Sequence, residues 1–317
     1  MTAPDETRPS LTVAIITYRR PTQLATNLVS VARGVAEASA LVRARVLVVD
    51  NDPAASARSV VEQAVGATIV YAHEPHPGIA AARNRALAES SDSRLLAFID
   101  DDEIPQPGWL VELVRTWRNY SADAVMGRVV SDLPPDADPW AVVGGFFTRA
   151  QHETGARLHA AATGNLLLDL DTVRRLGIRF DESLGLGGGE DTLFSAQLVR
   201  GGGVIVACAE SVTVDPVVPE RATRAWVRWR AFSHGNVFQH TRQRLAPTLP
   251  RRLATRSTGF LGGGARMAVG SARAMWGVLT RNLTHRVRGV RAILRGAGVL
   301  SASVGYRHQE YRRTDSA

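Results

Sequence analysis

Three consecutive aspartates, Asp100, Asp101 and Asp102, follow directly after an apolar run at residues 95–99. Adjacent carboxylates repel one another and each loses hydration when buried, so such a cluster needs a compensating positive charge. Four interpretations fit it: a solvated acidic turn or helix cap, a phosphoryl-transfer aspartate, a nucleotidyltransferase site, or a divalent-metal site that holds a nucleotide diphosphate.

The complete absence of lysine weighs against two of these interpretations. Phosphoryl-transfer enzymes and sugar nucleotidyltransferases usually set a lysine ammonium against phosphate, and every basic side chain here is arginine. The planar guanidinium is not equivalent to a point-like ammonium. Hard carboxylate oxygens suit Mg²⁺ or Mn²⁺, which usually bind through one or two carboxylates together with substrate phosphates. The metal interpretation is therefore favoured.

The elements that position the aspartates alternate between strands and helices. Apolar, β-branched runs at 11–18, 44–52, 67–74 and 94–102 predict four buried strands, with helical patterns between them. This alternation predicts a mostly parallel sheet covered on both faces. Ligands of such sheets bind at the carboxyl ends of strands, where Thr17, Asp50, Asn51 and the aspartates are expected.

The second half of the chain is less regular. A strand is predicted around 123–131, a strand and helix over 163–177, and a last strand or strand pair over 204–216. A glycine-rich loop precedes a helix that starts near Glu190 and Asp191. From about residue 222 the chain is predicted to be helical, with a hinge at Pro247 and Pro250.

Charge divides the chain into an acidic body and a basic tail. Residues 241–317 hold fifteen arginines and two acids, a net charge of +13, which leaves −5 for residues 1–240. Such a charge requires either an anionic partner or extensive solvation. The tail mixes apolar residues with regularly spaced arginines, as interfacial helices do, and it has few stacking aromatics and no nucleic-acid motif. An anionic membrane surface is favoured and no nucleic acid is expected.

The sequence also predicts a compartment. Cys208 is the only cysteine, so no intramolecular disulfide can form, which fits a reducing environment. The N-terminus lacks the pattern of a signal peptide, and no stretch of about 18 uncharged apolar residues predicts a membrane span. A cytoplasmic protein, peripheral at the inner face of the plasma membrane, is expected.

Five motifs in order resemble those of one enzyme family. "TYRRP", "VVDND", "PGIAAARNRAL", "FIDDDEIPQPGWL" and "GGGEDTLF" are similar to the motif series of family 2 glycosyltransferases of the GT-A fold, especially the succinoglycan type of exopolysaccharide glucosyltransferase. The resemblance implies an α/β fold with a mostly parallel central sheet flanked by helices. It covers roughly residues 10–240, so we expect a flexible N-terminus at 1–10 and a glycosyltransferase domain at 11–240. The charge of the tail predicts a basic helical appendage at 241–317 that docks on membrane or acceptor.

The resemblance also assigns residues to the donor. Asp102, with Asp100, would hold Mn²⁺ or Mg²⁺. Many relatives have a second aspartate where Asn51 stands, which leaves the base preference open. Many also have a histidine where this chain has Asp215, which would either ligate metal or cap a turn. The residues placed around the nucleotide are Thr17, Tyr18, Arg19, Asp50, Asn51, Arg83, Asp100 and Asp101.

A second group of residues is assigned to the acceptor. By resemblance, Asp191 is the base that deprotonates the acceptor hydroxyl, and Glu190 contacts the acceptor. The alternative for both is a pair of helix N-terminal acids favoured by the helix dipole. Gly188 and Gly189 would let the loop close over the substrates. Trp229 would either stack on a sugar or face the core.

Together these features predict an inverting, metal-dependent hexosyltransferase. It would move a hexose from a UDP-sugar to a hydroxyl of a lipid-linked glycan in cell-surface or exopolysaccharide biosynthesis. Two alternatives remain: a non-catalytic membrane-surface or polyanion-binding protein on a degenerate transferase scaffold, and a nucleotidyltransferase.

Overall fold

A mixed β-sheet forms the centre of the first half of the chain. The computed structural model describes residues 8–64 and 68–308. Within these ranges the sheet has nine strands: β1 (Ser10–Thr17), β2 (Arg43–Asp50), β3 (Ile69–His73), β4 (Leu95–Asp100), β5 (Ile104–Pro105), β6 (Ala124–Asp132), β7 (Arg157–Leu158), β8 (Asn165–Asp169) and β9 (Ile205–Pro216).

Helices cover the sheet and make up most of the C-terminal region. The described residues form ten α-helices and a 3₁₀ helix over Glu182–Gly187. The α-helices are α1 (Pro21–Glu37), α2 (Arg58–Gln63), α3 (Ile79–Glu89), α4 (Trp109–Tyr120), α5 (Pro139–Val143), α6 (Leu170–Leu176), α7 (Glu190–Arg200), α8 (Arg224–Leu245), α9 (Leu249–Leu279) and α10 (Leu283–Ser303).

The strand order confirms the predicted parallel sheet and extends it. The sheet runs β3-β2-β1-β4-β8-β6-β9-β5, and β7 pairs with β9. The first four strands pair in parallel, whereas β8 pairs antiparallel with both β4 and β6. In this register Thr17 lies opposite Asp50, and Ile16 lies opposite Asp100. The carboxyl ends of β1, β2 and β4 therefore meet at one edge.

Alternation along β1 explains how both faces of the sheet are buried. Val13 and Ile15 face a core formed with α1 and α4, where Trp109 is fully buried. Ala14 faces a second core formed with α3, α6 and α7. Because side chains of a strand point to opposite faces in turn, an unbroken apolar run such as that of β1 buries both sides.

The chain divides into two compact units. The first comprises residues 1–130, 149–185 and 190–215, and the second comprises 131–148, 186–189 and 216–317. Helix α8 thus belongs with the helices that follow it, and the predicted boundary at residue 240 falls inside this helix. The predicted flexible N-terminus lies largely outside the described residues, and its Ser10 already belongs to β1.

In the second unit, α10 packs closely against both α8 and α9. A methyl group added at Gly270 of α9 would lie 2.8 Å from the carbonyl oxygen of Gly289 on α10. One added at Gly235 of α8 would lie 2.0 Å from the carbonyl oxygen of Arg295. Glycine therefore permits backbone contact at both interfaces. No helix in the described ranges combines the length and apolarity that crossing a membrane requires.

Candidate active site

The acidic cluster at the end of β4 is tied to the end of β1. Asp101 is almost fully buried and accepts a hydrogen bond from the Thr17 hydroxyl at 2.8 Å. The Arg20 guanidinium donates to Asp101 at 2.8 Å and to Asp102 at 2.7 Å. Arg20 therefore supplies positive charge to two of the three adjacent carboxylates.

The surroundings of Asp100 raise the pKa of its side chain. Burial raises its pKa from 3.8 to about 6, with Asp102 and Asp101 adding to the shift and Arg83 and Arg149 opposing it. The neighbouring Glu103 is fully buried, and burial together with Asp100 raises its pKa well above the ordinary range.

The backbone of Gly164 lies close against these two carboxylates. A methyl group added there would lie 2.5 Å from Glu103 Oε1 and 3.2 Å from Asp100 Oδ2. Glu103 Oε2 accepts a hydrogen bond from the Thr213 hydroxyl at 2.7 Å, whereas Oε1 is buried with no hydrogen-bond partner among the described residues. A side chain larger than that of glycine would collide with the Glu103 carboxylate.

Arg149 and Asp215 form an ion pair near the same carboxylates. Arg149 Nη2 lies 3.0 Å from Asp215 Oδ2, and the Arg149 charge also acts on Asp100 and Glu103. Asp215 follows Thr213 along β9, the strand that borders Glu103. The two predicted roles of Asp215, metal ligand and turn cap, did not include this ion pair.

Arg83 connects the acidic cluster with the start of α7. The Arg83 and Glu190 side chains are each about 5 % exposed and form a buried ion pair. Burial raises the pKa of Glu190, opposed by Arg83 and reinforced by Asp191. Since Arg83 also acts electrostatically on Asp100, one guanidinium lies within range of carboxylates from β4 and from α7. Arg83 is therefore a buried side chain of α3 and not a charge on the helix surface.

Asp191 stands at the first turn of α7, next to Glu190. Its Oδ1 accepts hydrogen bonds from the backbone N–H of Thr192 at 2.5 Å and from the Thr192 hydroxyl at 3.2 Å. The side chain is partly exposed. Its second oxygen accepts no hydrogen bond from the residues that the structure describes, so it is able to accept one from a substrate.

Asp50 and Asn51 have structural partners at the end of β2. Asp50 is fully buried and accepts from the backbone N–H groups of Asp52 and Ala57, at 3.0 and 2.8 Å. Asn51 Nδ2 donates to the carbonyl oxygens of Glu74 and His76, each at 2.7 Å. Both side chains hold loops at this edge of the sheet, and their contact with a nucleotide base stays a prediction.

Tyr18 and Arg19 lie after β1, at the more exposed side of this edge. The Arg19 guanidinium sits 5.2 Å from the centre of the Tyr18 ring, and its Nε lies 3.2 Å from Asp52 Oδ1. The Arg19 side chain is half exposed, and the residue has a left-handed backbone with a φ of 54°. This backbone turn brings the chain from β1 into α1, where Arg20 reaches the aspartates.

Three of the predicted acceptor residues belong to the second compact unit. Gly188 and Gly189 both have positive φ, 77° and 89°, as expected for a glycine loop. A methyl group added at Gly189 would lie 2.7 Å from Val237 of α8. Trp229 is 55 % exposed and packs edge-on against His308 at 4.6 Å, so it is not a core residue. Its contact with sugar stays a prediction.

The acidic cluster fits a divalent cation bound together with phosphate. No three histidine, cysteine or acidic side chains converge as metal ligands in the described part of the chain. However, the cluster offers two carboxylates, Asp100 and Asp102, the usual number for Mg²⁺ or Mn²⁺ when a substrate completes the shell. The partnerless oxygen of Glu103 is a further feature that suits a hard cation.

Sequence reasoning missed three charged residues of this site. Arg20 stands within the quoted "TYRRP" motif, and the need to compensate three aspartates was the signal that could have identified it. Glu103 directly follows the aspartates, but its burial depends on the contact with Thr213 of β9. Arg149 lies in an irregular segment that carries no local signal of its position.

The chain belongs to glycosyl transferase family 2, whose family model matches residues 12–176. It has the GT-A fold, with the acidic cluster at the carboxyl ends of the parallel strands. The chain is 35 % identical, over 97 % of its own length and 96 % of the relative's, to the succinoglycan biosynthesis protein ExoM of Rhizobium meliloti (strain 1021). The predicted family and fold are thus confirmed.

Two solved structures show the same fold at low sequence identity. S. aureus TarS 1–349 in complex with UDP has a TM-score of 0.52 at 18 % identity and covers 97 % of this chain and 94 % of that one. The mannosyltransferase PcManGT of Pyrobaculum calidifontis, in complex with GDP-Man and Mn²⁺, has a TM-score of 0.56 at 20 % identity. That match covers 92 % of this chain and 88 % of that one.

Proposed function

We propose that this protein transfers a hexose, with inversion, from a UDP-sugar to a hydroxyl group of a glycan in exopolysaccharide or cell-surface polysaccharide biosynthesis. The observation that carries the proposal is the buried Arg83–Glu190 ion pair, because Arg83 also acts on Asp100 of the acidic cluster. Through Arg83, the ion pair links the acidic cluster at the end of β4, which would bind the donor diphosphate, to the pair of acids at the start of α7. Resemblance to a succinoglycan biosynthesis protein supports the pathway class.

In this proposal, the residues at the ends of β1 and β4 bind the donor. Thr17 and Arg20 hold Asp101 and Asp102 in place through direct hydrogen bonds, so that the two carboxylates are oriented before a ligand arrives. Asp100 and Asp102 would hold Mn²⁺ or Mg²⁺. When bound, such an ion neutralises the negative charge that develops on the departing nucleoside diphosphate. PcManGT, solved with GDP-Man and Mn²⁺, supports a divalent ion by analogy.

Asp191 acts as the general base on the acceptor. Inversion requires the acceptor oxygen to attack the anomeric carbon from the face opposite the leaving diphosphate, and the hydroxyl proton must go to a positioned base. The hydrogen bonds from Thr192 fix Oδ1, which leaves Oδ2 to receive that proton. Arg83 holds Glu190 beside it through the buried ion pair.

The acceptor is proposed to be lipid-linked. The predicted cytoplasmic location, peripheral at the inner face of the plasma membrane, is where a glycan that grows on a lipid carrier would be found. UDP as the donor nucleotide is supported by the UDP complex of TarS, which shares the fold.

Release of UDP from a panel of UDP-hexoses, measured with Mn²⁺ and with a chelator in place of it, tests the proposal. At least one donor is expected to give UDP only in the presence of metal. Asp191→Asn is expected to retain donor binding and to lose about 10²-fold or more in transfer, as for removal of a general base. Asp136→Asn, an exposed acid, is the matched control.

Other outcomes would overturn parts of the proposal. Release of pyrophosphate would indicate a nucleotidyltransferase. A folded protein that neither binds UDP nor turns over any donor would indicate a degenerate scaffold, and full activity of Asp191→Asn would remove that residue from the role of base.

A further inference from the structure

The face of α9 that points away from α10 is apolar from Leu261 to Leu279. Successive residues of an α-helix are rotated by about 100° around its axis. On this basis, six residues of α9 lie roughly 120–180° around the axis from Gly263 and Gly270, which pack on α10. We call these residues the outer face of α9: Leu261, Val269, Ala272, Met275, Trp276 and Leu279. All six are exposed, and Leu261, Val269 and Leu279 are each about 70 % exposed or more (71, 69 and 74 %). An apolar patch of this extent is rare on a monomer surface without a partner.

The charges around this face have one sign. Arg251, Arg266 and Arg273 are exposed on α9, and at 100° per residue they fall along one edge of the outer face. The sequence contains no aspartate or glutamate from residue 241 to residue 309. The long arginine side chains can lay their methylene groups along the apolar surface and extend the guanidinium groups outward. A partner that is apolar in its centre and anionic at its rim would match both features.

Two other occupants match less well. A second copy of the chain would set one arginine edge close to another, and neither α9 nor α10 has a carboxylate to pair with it. Nucleic acid would contact cationic side chains at the centre of its footprint, whereas the centre of this face holds alanine, leucine and methionine. An anionic lipid surface presents acidic headgroups above an acyl layer, in the order that the helix requires.

We infer that the outer face of α9 is a docking surface for an anionic lipid bilayer, with the helix lying in the plane of the interface. The segment from residue 261 to 279, which carries the outer face, is about 27 Å long at 1.5 Å per residue. It lies on the bilayer and does not cross it, in accord with the described helices, none of which is apolar enough to span a membrane. In this arrangement Trp276 lies in the headgroup region, where tryptophan side chains are enriched.

This inference rests on the proposed function in one respect: a bilayer surface is where a lipid-linked acceptor would be found. The test uses no donor: the full-length protein is sedimented with phosphatidylcholine vesicles, with and without phosphatidylglycerol, at low and high salt. We expect binding to the anionic vesicles and a weakening at high salt. Leu261→Ser combined with Leu279→Ser should lower the partition constant about tenfold or more, because apolar burial is lost. Val29→Ser, an equally exposed apolar residue on α1, should leave it unchanged.

A second pair of variants separates charge from apolar contact. Arg266→Gln combined with Arg273→Gln should lower binding about tenfold at low salt and reduce the salt dependence. The matched pair on α4, Arg115→Gln with Arg118→Gln, should bind like the unchanged protein. Tryptophan emission should shift to the blue on adding vesicles, and the shift should be absent in Trp276→Phe.

Four outcomes overturn the inference. They are the absence of binding to anionic vesicles, binding that the Leu261 and Leu279 substitutions leave intact, self-association in sedimentation velocity that those substitutions abolish, and preferential binding of RNA or DNA that depends on the same arginines. Circular dichroism establishes that each variant is folded. Vesicle binding with no glycosyl transfer, or the reverse, would separate this inference from the proposed enzyme activity.

Discussion

Replacement of Asp100 by asparagine should stabilise the ligand-free protein at neutral pH. In the folded chain, burial and the adjacent carboxylates raise the pKa of Asp100 from 3.8 to about 6. Below about pH 4 this group is protonated in both the folded and unfolded chains, and its contribution to stability is fully present. As the pH rises through about 6, the folded chain must ionise a buried carboxyl group, and that contribution is lost.

The magnitude follows from the size of this pKa difference. A shift of about two units corresponds to at most about 3 kcal/mol, since one unit is about 1.4 kcal/mol. Relaxation around the charge reduces this value, and we expect Asp100→Asn to raise the free energy of unfolding by about 1–2 kcal/mol at pH 7.5. The new amide can donate toward Glu103 Oε1, which lies on the same side of Gly164 and has no partner among the described residues.

Thermal unfolding of the metal-free protein at several pH values measures this effect. The midpoint of Asp100→Asn should exceed that of the unchanged protein by about 2–8 °C at pH 7.5, and the difference should vanish near pH 4. Asp136→Asn, on the exposed surface, should show no such pH dependence. With Mn²⁺ and UDP added, the order should reverse, because only the unchanged protein gains full stability from the ligands.

A lower or pH-independent stability of Asp100→Asn would refute the reasoning. It would mean that Arg83 and Arg149 compensate the Asp100 charge fully, and that the cluster is neutral without any ligand.

Three further predictions concern other parts of the molecule. Arg83→Leu leaves the buried Glu190 without its partner and should lower the free energy of unfolding by about 3 kcal/mol in urea denaturation; an unchanged value would show that the ion pair is dispensable. Gly270→Ala should destabilise by about 1–3 kcal/mol because its methyl group would lie 2.8 Å from a backbone oxygen, whereas Gly262→Ala, with open space around it, should stabilise by about 0.5–1 kcal/mol; equal effects would contradict the close packing of α9 on α10. In calorimetry, Mn²⁺ and UDP should each raise the affinity of the other by the same factor, and independent binding would exclude a shared site.

The parallel half of the sheet could be predicted from sequence because its signal is local. The strands β1, β2 and β4 each contain an apolar run of four or more residues followed by a polar residue, which is typical of strands buried on both faces. The antiparallel direction of β8 could not be predicted in the same way. The run that forms it reads like those of β1 and β4, and the direction of a strand depends on where the chain returns to the sheet.

Sequence motifs predicted candidate site residues, but they predicted the contacts between those residues less well. The motifs predicted roles for the aspartates, Asp191 and Arg83, but not the buried pairing of Arg83 with Glu190, which joins residues 107 positions apart. Asp50 shows the opposite case. Its motif suggested a ligand contact, yet the loop that follows β2 folds back so that two backbone N–H groups donate to its carboxylate. Aspartates that begin a turn often bond to the backbone beyond them, and this tendency competes with any binding role.

Arginines from separate parts of the chain explain why the acidic cluster is tolerated without lysine. Arg20 reaches Asp101 and Asp102 from the start of α1, Arg83 acts on Asp100 from α3, and Arg149 does so from an irregular segment. This fixed set of guanidinium groups balances the carboxylates only in part, since the pKa of Asp100 is still raised to about 6. It cannot also balance the two or more negative charges that a nucleoside diphosphate would bring. An added dication would restore that balance at the point where Asp102 is still partly exposed, with 23 % of its side chain accessible. The charge distribution of the chain itself therefore favours a cation and a diphosphate that enter the site together.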